Sequence, residues 1–452
     1  FVFSMDHIRY FFQVGLNETP LAQIKENRMN HPKLLILLSV LLLTTFAVQG
    51  QQILIRAGRL IDTNQKTVKK NVDILVEGNR IIKVGKNLES ASASIIDLSN
   101  KTVLPGLIDG HTHICLTPDY SSNPPVLYKT NTYRTMEAFK AAKQILMSGF
   151  TTIRDVDNEG ADMADIAVRD AINKGMFFGP RIFVSGWAIS ITGGHMNLTG
   201  LRPSIDKKVE QLAIIADNPN DMVAAIRDQR KSGVDFIKIY ATGTLRHINR
   251  ETMEPLSQLS IEEVEVMVNE ARRWGMDVAA HAYGGSGAYN AVKGGVHSLE
   301  HGLFLDDKIL ALMVKNGTFW CPTMTVYLPD EGASKADIRF HNRIVAEHKK
   351  SFRRAMKKGV KIVFGTDIGS MPHGEGWREM ERMVNYGMLP MDVIHSATVM
   401  GAKLLRKTDE LGQIKEGYFA DIIAVDGNPD ENIKAFRSID FVMVNGNIAK
   451  ND

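Results

Sequence analysis

Residues 103–116 read VLPGLIDGHTHICL: a Pro-Gly entry, a short apolar run, then His111 and His113 two positions apart. In a strand, positions i and i+2 point to the same face, so both imidazoles can reach one ion. Taken alone, the pair is equally open to a second reading as two unrelated surface histidines. Asp109, just before them, is placed to frame the pair. The rhythm of the chain that follows decides between the readings.

From about 104 to 405, short apolar strand candidates alternate with helical stretches of a dozen or more residues, the pattern of βα units and a parallel sheet. Eight strand candidates end near His111, Asp155, Gly186, Tyr240, His281, His301, Thr323 and Asp367, and 261–274 and 344–357 show helical periodicity. Eight such units predict an α/β fold, a (β/α)8 TIM barrel over 104–405 with its active site at the C-terminal ends of the strands. Outside it, 52–60 and 72–84 (with a Gly78-Asn79 turn) read as strands, as does a run closing at Ile95-Ile96. At the far end, 411–426 and 438–448 also read as strands, with Asn445-Gly446 as a hairpin turn. Segments 51–103 and 406–452 are expected to pair as one small β-sandwich domain built from both chain ends.

The 452 residues are 44% apolar and 23% charged, with 54 basic against 51 acidic side chains and a net charge of +3. So small an excess, with no basic run interleaved with aromatics, gives no ground for a nucleic-acid partner. Cys115 and Cys321 are the two cysteines; they could pair, but they cannot build a disulfide framework or a Cys-rich zinc site. No nucleophile-elbow motif stands in a strand–helix context, which argues against a serine hydrolase.

From Met29 the chain reads MNHPKLLILLSVLLLTTFAVQG, a charged start, an apolar run, then small residues, in the order of a secretory signal peptide. The apolar run is shorter than the roughly 20 residues needed to span a bilayer, although an uncleaved anchor is the competing reading. Residues 1–50 are therefore set aside as an upstream extension and signal peptide (about 29–50). The mature protein is expected to begin near Gln51 and to be periplasmic or secreted, without stable membrane association after signal removal.

Two further strands end in histidine: DVAAHAYG at His281 and GVHSLEHG at His301. One such histidine is ordinarily a core or capping residue, but consecutive βα units repeat the feature here. Asp367 follows the apolar run of VKIVFGTDIGS, where the alternative reading is a helix cap. Four histidines and an aspartate at four strand ends suit a divalent ion held by nitrogen and oxygen donors. In VDFIKIYATG, Lys238 lies inside a buried run, where a charged ammonium is costly to desolvate. Two readings stand: a neutral amine that takes up carbon dioxide as a bridging carbamate, or an ion pair with a carboxylate such as Asp155 or Asp367.

Together, PGLIDGHTHI, FIKIYATG, AAHAYG, SLEHG and FGTDIGSMPHGEG resemble the signature segments of the metal-dependent amidohydrolases. The nearest resemblance is to the branch holding imidazolonepropionase-related proteins, Xaa-Pro dipeptidases (prolidases) and ochratoxin-hydrolysing amidases, over roughly 52–450. It implies that His111 and His113 bind the more buried metal, completed by Asp367. It also implies that carboxylated Lys238 bridges to a second metal held by His281 and His301. The cofactors implied are two divalent ions, Zn2+ foremost, and a carbamate on Lys238. Asp367 would accept a proton and pass it to the leaving amine.

The segment AISITGGHMNLTG resembles the family loop whose histidine touches the substrate carbonyl, which singles out His195; the alternative is an exposed histidine beside flexible glycines. Tyr240, on the strand face of Lys238, is a candidate donor to a substrate carboxylate. Thr244 stands where many relatives carry a second glycine. His373 either lines the mouth or orders its loop, His297 is read as structural, and His247, His341, His348 and His395, in helical or polar contexts, receive no role.

The implied activity is hydrolysis of an amide or peptide bond next to a free carboxylate, in a small molecule or dipeptide. Dipeptidases, prolidase-like carboxypeptidases and N-acyl amino acid amidases, including those acting on ochratoxin-type amides, all fall in that class. The alternatives are a cyclic-amide hydrolase of imidazolonepropionase type and, in another class, a catalytically inactive binding protein on the same barrel. A homo-oligomer is left open.

Overall fold

Residues 52–118, 125–198, 200, 202, 204, 211–330 and 332–452 are described in the computed structural model; the signal-peptide reading of 29–50 lies outside them. β1 (Gln52–Asp62), β2 (Thr67–Glu77) and β3 (Arg80–Gly85) run antiparallel, and β4 (Ser94–Pro105) lies parallel to β1. Strand residues alternate between faces, and Ile53, Ile55 and Ala57 with Val72, Ile74 and Val76 accordingly share one buried cluster. Gly78 takes the turn between β2 and β3 at φ 56°.

The middle of the chain supplies β5 (Leu107–Thr112), β6 (Phe150–Asp155) and β7 (Arg181–Val184), a three-stranded parallel sheet. It continues with β8 (Ile189–Ser190), β9 (Ile214–Ile215), β10 (Ile237–Tyr240), β11 (Val278–Gly284), β12 (Ser298–Phe304), β13 (Phe319–Cys321) and β14 (Lys361–Ile362). These form a second parallel sheet in the order β14-β13-β12-β11-β10-β8-β9. Each of the eight expected strand positions holds a parallel strand, and β8 and β9 are short additions. Every residue of β5, β6, β10 and β11 is buried, as strands covered on both faces must be.

Backbone bonds join the two sheets at both margins. Gly110 N–H donates to Phe364 O at 2.9 Å and Asp367 N–H to His111 O at 2.8 Å, while Asp235 N–H donates to Val184 O at 2.8 Å. The last strands, β15 (Ile422–Val425), β16 (Phe441–Val444) and β17 (Asn447–Asn451), return to the first sheet, β15 pairing antiparallel with β4. Both chain ends thus share one seven-stranded sheet, in the order β17-β16-β15-β4-β1-β2-β3.

Helices start where the caps allow. Ser260 and Glu263 form a reciprocal capping box at Ile261–Arg273, close to the span read from periodicity. The helix read as 344–357 is longer, Lys335–Lys358, because its start is set by Ser334, which accepts from Asp337 N–H. Its first turns are largely exposed, so they carry little apolar periodicity. β14 is only two residues long; beyond it the chain meets β5 through single backbone bonds and a Thr112–Ile368 bridge, and turns left-handed at Asp367 (φ 58°).

Candidate metal centre

β5 presents His111 and His113, both buried, toward Asp367. Nε2 of His113 lies 3.1 Å, and Nε2 of His111 3.5 Å, from the same Asp367 Oδ1. His301 brings Nδ1 to 3.7 Å from the other carboxylate oxygen. The rings of His111 and His301 are 4.9 Å apart, and His281 stands 4.5 Å from His301. The four histidines and Asp367 read from strand ends are therefore brought together.

Close backbone approach is part of this arrangement. A Cβ on Gly365 would lie 2.1 Å from Cys321 Sγ and 3.0 Å from His111 Cβ, so only glycine lets the strand carrying Asp367 come this near to β5. His301 (φ 74°), Thr323 (φ 48°) and Asp367 (φ 58°) all adopt left-handed backbone, a conformation that surrounding structure must hold in place.

Lys238 is 1% exposed on β10 and makes no ion pair among the described residues. The pairing with Asp155 or Asp367 left open by the sequence is thus not formed; Asp155 Oδ1 instead accepts from Ile114 N–H at 2.7 Å. Burial pulls the Lys238 ammonium below its ordinary pKa, against the opposing pull of Glu300, Asp157 and Asp367. The centre fits a metal on its own chemistry. His111 Nε2 is fully buried and has no hydrogen-bond partner, which leaves a ligating nitrogen aimed at Asp367. For His113, burial alone would lower the pKa, but the bond to Asp367 and the charge of Glu159 lift it to about 10. A bound cation would replace that proton.

Three residues escaped the sequence reading. Glu300, wholly buried, places Oε2 2.8 Å from His111 Nδ1, while Oε1 accepts from Arg154 Nη2 at 2.7 Å. Arg154 also donates through Nε to Gly110 O at 2.7 Å. Asp157 accepts the hydroxyl of Tyr240 and, at Oδ1, the amide of Glu159 at 3.1 Å. A charged residue inside an apolar strand was the available signal for Arg154 and Glu300, the same signal that singled out Lys238.

Asp109 frames the site as expected, accepting from His111 N–H at 3.1 Å and Thr366 Oγ1 at 2.7 Å, and burial lifts its carboxyl to about 7. His195 is buried rather than an exposed loop residue. Its ring stacks on Tyr240 at 4.2 Å and 15°, and its Nδ1 is unpartnered. Burial, then the Lys238 charge, depress it to about 3, so the imidazole is neutral. Tyr240 keeps its place beside Lys238, but its hydroxyl proton is already given to Asp157, which alters the free donor expected there.

His373 Nε2 bonds His113 O at 3.1 Å and so orders its loop. His297 is structural, with Nε2 3.1 Å from Leu404 O, and His247 caps its own turn through Thr244. His348 lies on a helix, as read, and is entirely buried against Trp320, Tyr327 and Tyr386.

Residues 102–449 match the amidohydrolase family. The chain is 31% identical over 360 residues to the ochratoxinase of Aspergillus niger, covering 74% of this chain and 72% of that one. The crystal structure of A. niger ochratoxinase aligns with a TM-score of 0.77 at 27% identity, over 89% and 96% of the two chains. A Xaa-Pro dipeptidase solved with methionine in its active site aligns with a TM-score of 0.79 at 36% identity, over 88% of this chain and 99% of that one. The imidazolonepropionase of Treponema denticola is 24% identical over 400 residues, 80% of this chain and 88% of its own. The donors gathered around Asp367 are those of a metal-binding family, and by these likenesses the chain belongs to the amidohydrolase family, as a hydrolase of amide C–N bonds in small molecules on a TIM-barrel fold with an added domain.

Proposed function

We propose that this protein is a binuclear hydrolase that cleaves an amide or peptide bond next to a free carboxylate, outside the cytoplasm. In this reading its eight main strands close one barrel and its two chain ends form a β-sandwich. The observation that carries it is Lys238, buried among the histidines without an ion-pair partner. Uptake of carbon dioxide by its deprotonated amine, with one proton released to solvent, would give a carbamate whose oxygens would add to the donors His111, His113 and Asp367 and the donors His281 and His301. Nitrogen and oxygen donors in these numbers suit Zn2+. Two bound divalent ions would supply an activated water and a polarised carbonyl.

The chain's own groups do the rest. Asp367 is partly open to solvent at its side chain while touching three histidines, so it can take a proton and return it to the departing nitrogen. His195 is buried with Nδ1 unpartnered, and in the tautomer that carries its proton on that nitrogen it would donate to the substrate carbonyl oxygen. Tyr240, braced by Asp157 and by the His195 ring, forms the wall beside them. Among the relatives, a Xaa-Pro dipeptidase by its name cleaves a dipeptide, whose scissile bond lies next to a free carboxylate.

Metal content per chain, after purification with bicarbonate, tests the centre in the parent and in Lys238→Ala. Two ions in the parent, with loss of one ion and of activity in the variant, are expected; one ion kept by both would overturn the bridge. Dipeptides and N-acyl amino acids should be cleaved, and equal cleavage of their C-terminal amides would remove the carboxylate requirement. Export predicts that protein recovered from the periplasm or medium begins near Gln51.

A further inference from the structure

Beyond β13 the chain runs through Pro322, Thr323 and Met324 into a single turn of 3-10 helix, Thr325–Tyr327. Thr323 is left-handed at φ 48°, an unfavourable conformation for a β-branched residue that its surroundings must hold in place. Met324 returns to right-handed backbone at φ −76° and ψ −26°. A left-handed residue beside a right-handed one turns successive backbone N–H groups to one side and makes a concavity that fits an anion. The anion here is the carboxylate of Glu379, on the helix Trp377–Tyr386 of the following βα unit. Its Oε1 accepts from Met324 N–H at 2.7 Å, and its Oε2 accepts from Thr325 N–H at 2.8 Å and the Thr325 hydroxyl at 2.5 Å.

Glu379 is wholly buried, and all of these bonds go to the one turn. Burial lifts its carboxyl to about 7 against the pull of those donors, so a carboxylate is held here at an expense that an apolar side chain would avoid. The turn it grips lies directly behind His301. Thr323 Oγ1 is 2.8 Å from His301 Nδ1, and with the ring proton on Nδ1, donated to that hydroxyl, His301 would present Nε2 to a cation. At the other end of the turn, the Tyr327 ring stands 6.1 Å from the His301 ring at 88°. His301 is itself left-handed at φ 74°, so contacts from outside its own strand decide where the ring points.

We infer that Glu379 is a positioning residue for His301: its carboxylate fixes the left-handed turn at Thr323, and the Thr323 hydroxyl fixes the direction of the imidazole. Glu379 bonds none of His111, His113, His281, His301 and Asp367, and acts on the centre only through this turn. The role rests on the reading of His301 as a metal ligand, and adds how that ligand is aimed. A plain structural cap, tying the turn to the helix, would stabilise the fold and leave the metal ligands as they are.

The test loads the full chain with Co2+, whose visible absorption reports ligand geometry, in the parent, Glu379→Gln and Thr323→Val. Glutamine keeps the shape but sets an NH2 group where one of the turn's donors needs an acceptor. Thr323→Val cuts the next link alone. Both variants are expected to change the Co2+ spectrum and to weaken Co2+ binding at least about tenfold in chelator competition, the usual size for loss of a ligand's support. A Glu379→Gln protein that melts earlier but keeps the parent's spectrum and affinity is a lost cap only, and overturns the inference. So does an effect of Glu379→Gln that Thr323→Val fails to reproduce, since the hydroxyl would then carry nothing to His301. Should Glu379→Gln not fold, Thr325→Val, which deletes one of the three bonds, is read by the same criteria. A parent that binds no Co2+ overturns the metal centre and this role together, whereas a parent that binds it beside indifferent variants overturns this role alone.

Discussion

Nδ1 of His111 lies 2.8 Å from Oε2 of Glu300, and neither side chain is exposed at all. An anionic carboxylate at that nitrogen requires the ring proton to sit on Nδ1, which leaves the Nε2 lone pair free toward Asp367. Arg154 and Ser298 hold the other carboxylate oxygen, so the ring cannot turn without breaking a buried charged network. Glu300→Gln keeps the shape but offers Arg154 no anion. Metal affinity at this end of the centre should fall roughly 10–100-fold, the usual loss when such a partner is removed. Competition with a chromophoric chelator measures it, and an unchanged affinity would leave Glu300 with a packing role only.

The same carboxylate governs behaviour in acid. Burial alone would raise Glu300 above its ordinary value of 4.5, but Arg154 and then His111 outweigh burial and hold it well below. A group whose folded pKa is depressed contributes its full stabilisation above the unfolded value and loses it as pH falls through the folded one. The metal-free parent should therefore lose stability below about pH 4.5 along a limb that Glu300→Gln lacks. Urea unfolding of chelator-treated protein at a series of pH values reads both limbs; parallel curves would refute the assignment.

Tyr240 gives its hydroxyl proton to Asp157 and lies flat on His195. Tyr240→Phe keeps the stack but leaves Asp157 Oδ2 buried without its donor. The expected loss is about 1–3 kcal/mol of stability, the penalty for an unsatisfied buried group. Chemical denaturation reports the loss, while steady-state kinetics should show KM nearly unchanged, because the phenyl ring keeps the substrate wall.

Gly302 sits between a ligand and its support. Trp320 Nε1–H donates to His301 O at 3.0 Å, and a Cβ on Gly302, where φ is 63°, would lie 2.4 Å from that same indole nitrogen. Gly302→Ala should combine left-handed strain with overpacking, each worth about 1–3 kcal/mol. Thermal melting of the metal-free variant should fall accordingly; an unshifted melt would mean that Trp320 yields freely.

The amino-acid order by itself determined the alternation of strands and helices, the eight strand positions and the residues at their ends. Those follow from local periodicity and from apolar runs that either face of a buried strand must carry. His111, His113, His281, His301 and Asp367 were legible because strand ends in such a fold converge on one mouth. Tertiary structure alone decided the partners. Glu300 meets His111 across 189 positions and Asp157 meets Tyr240 across 83, and no periodicity encodes which buried charge will face which. The extra length of the helix ending at Lys358, the left-handed turns at His301 and Asp367 and the burial of His195 belong to the same class. They depend on strand register and on the packing of neighbouring helices, which fix side-chain direction only once the sheets have assembled.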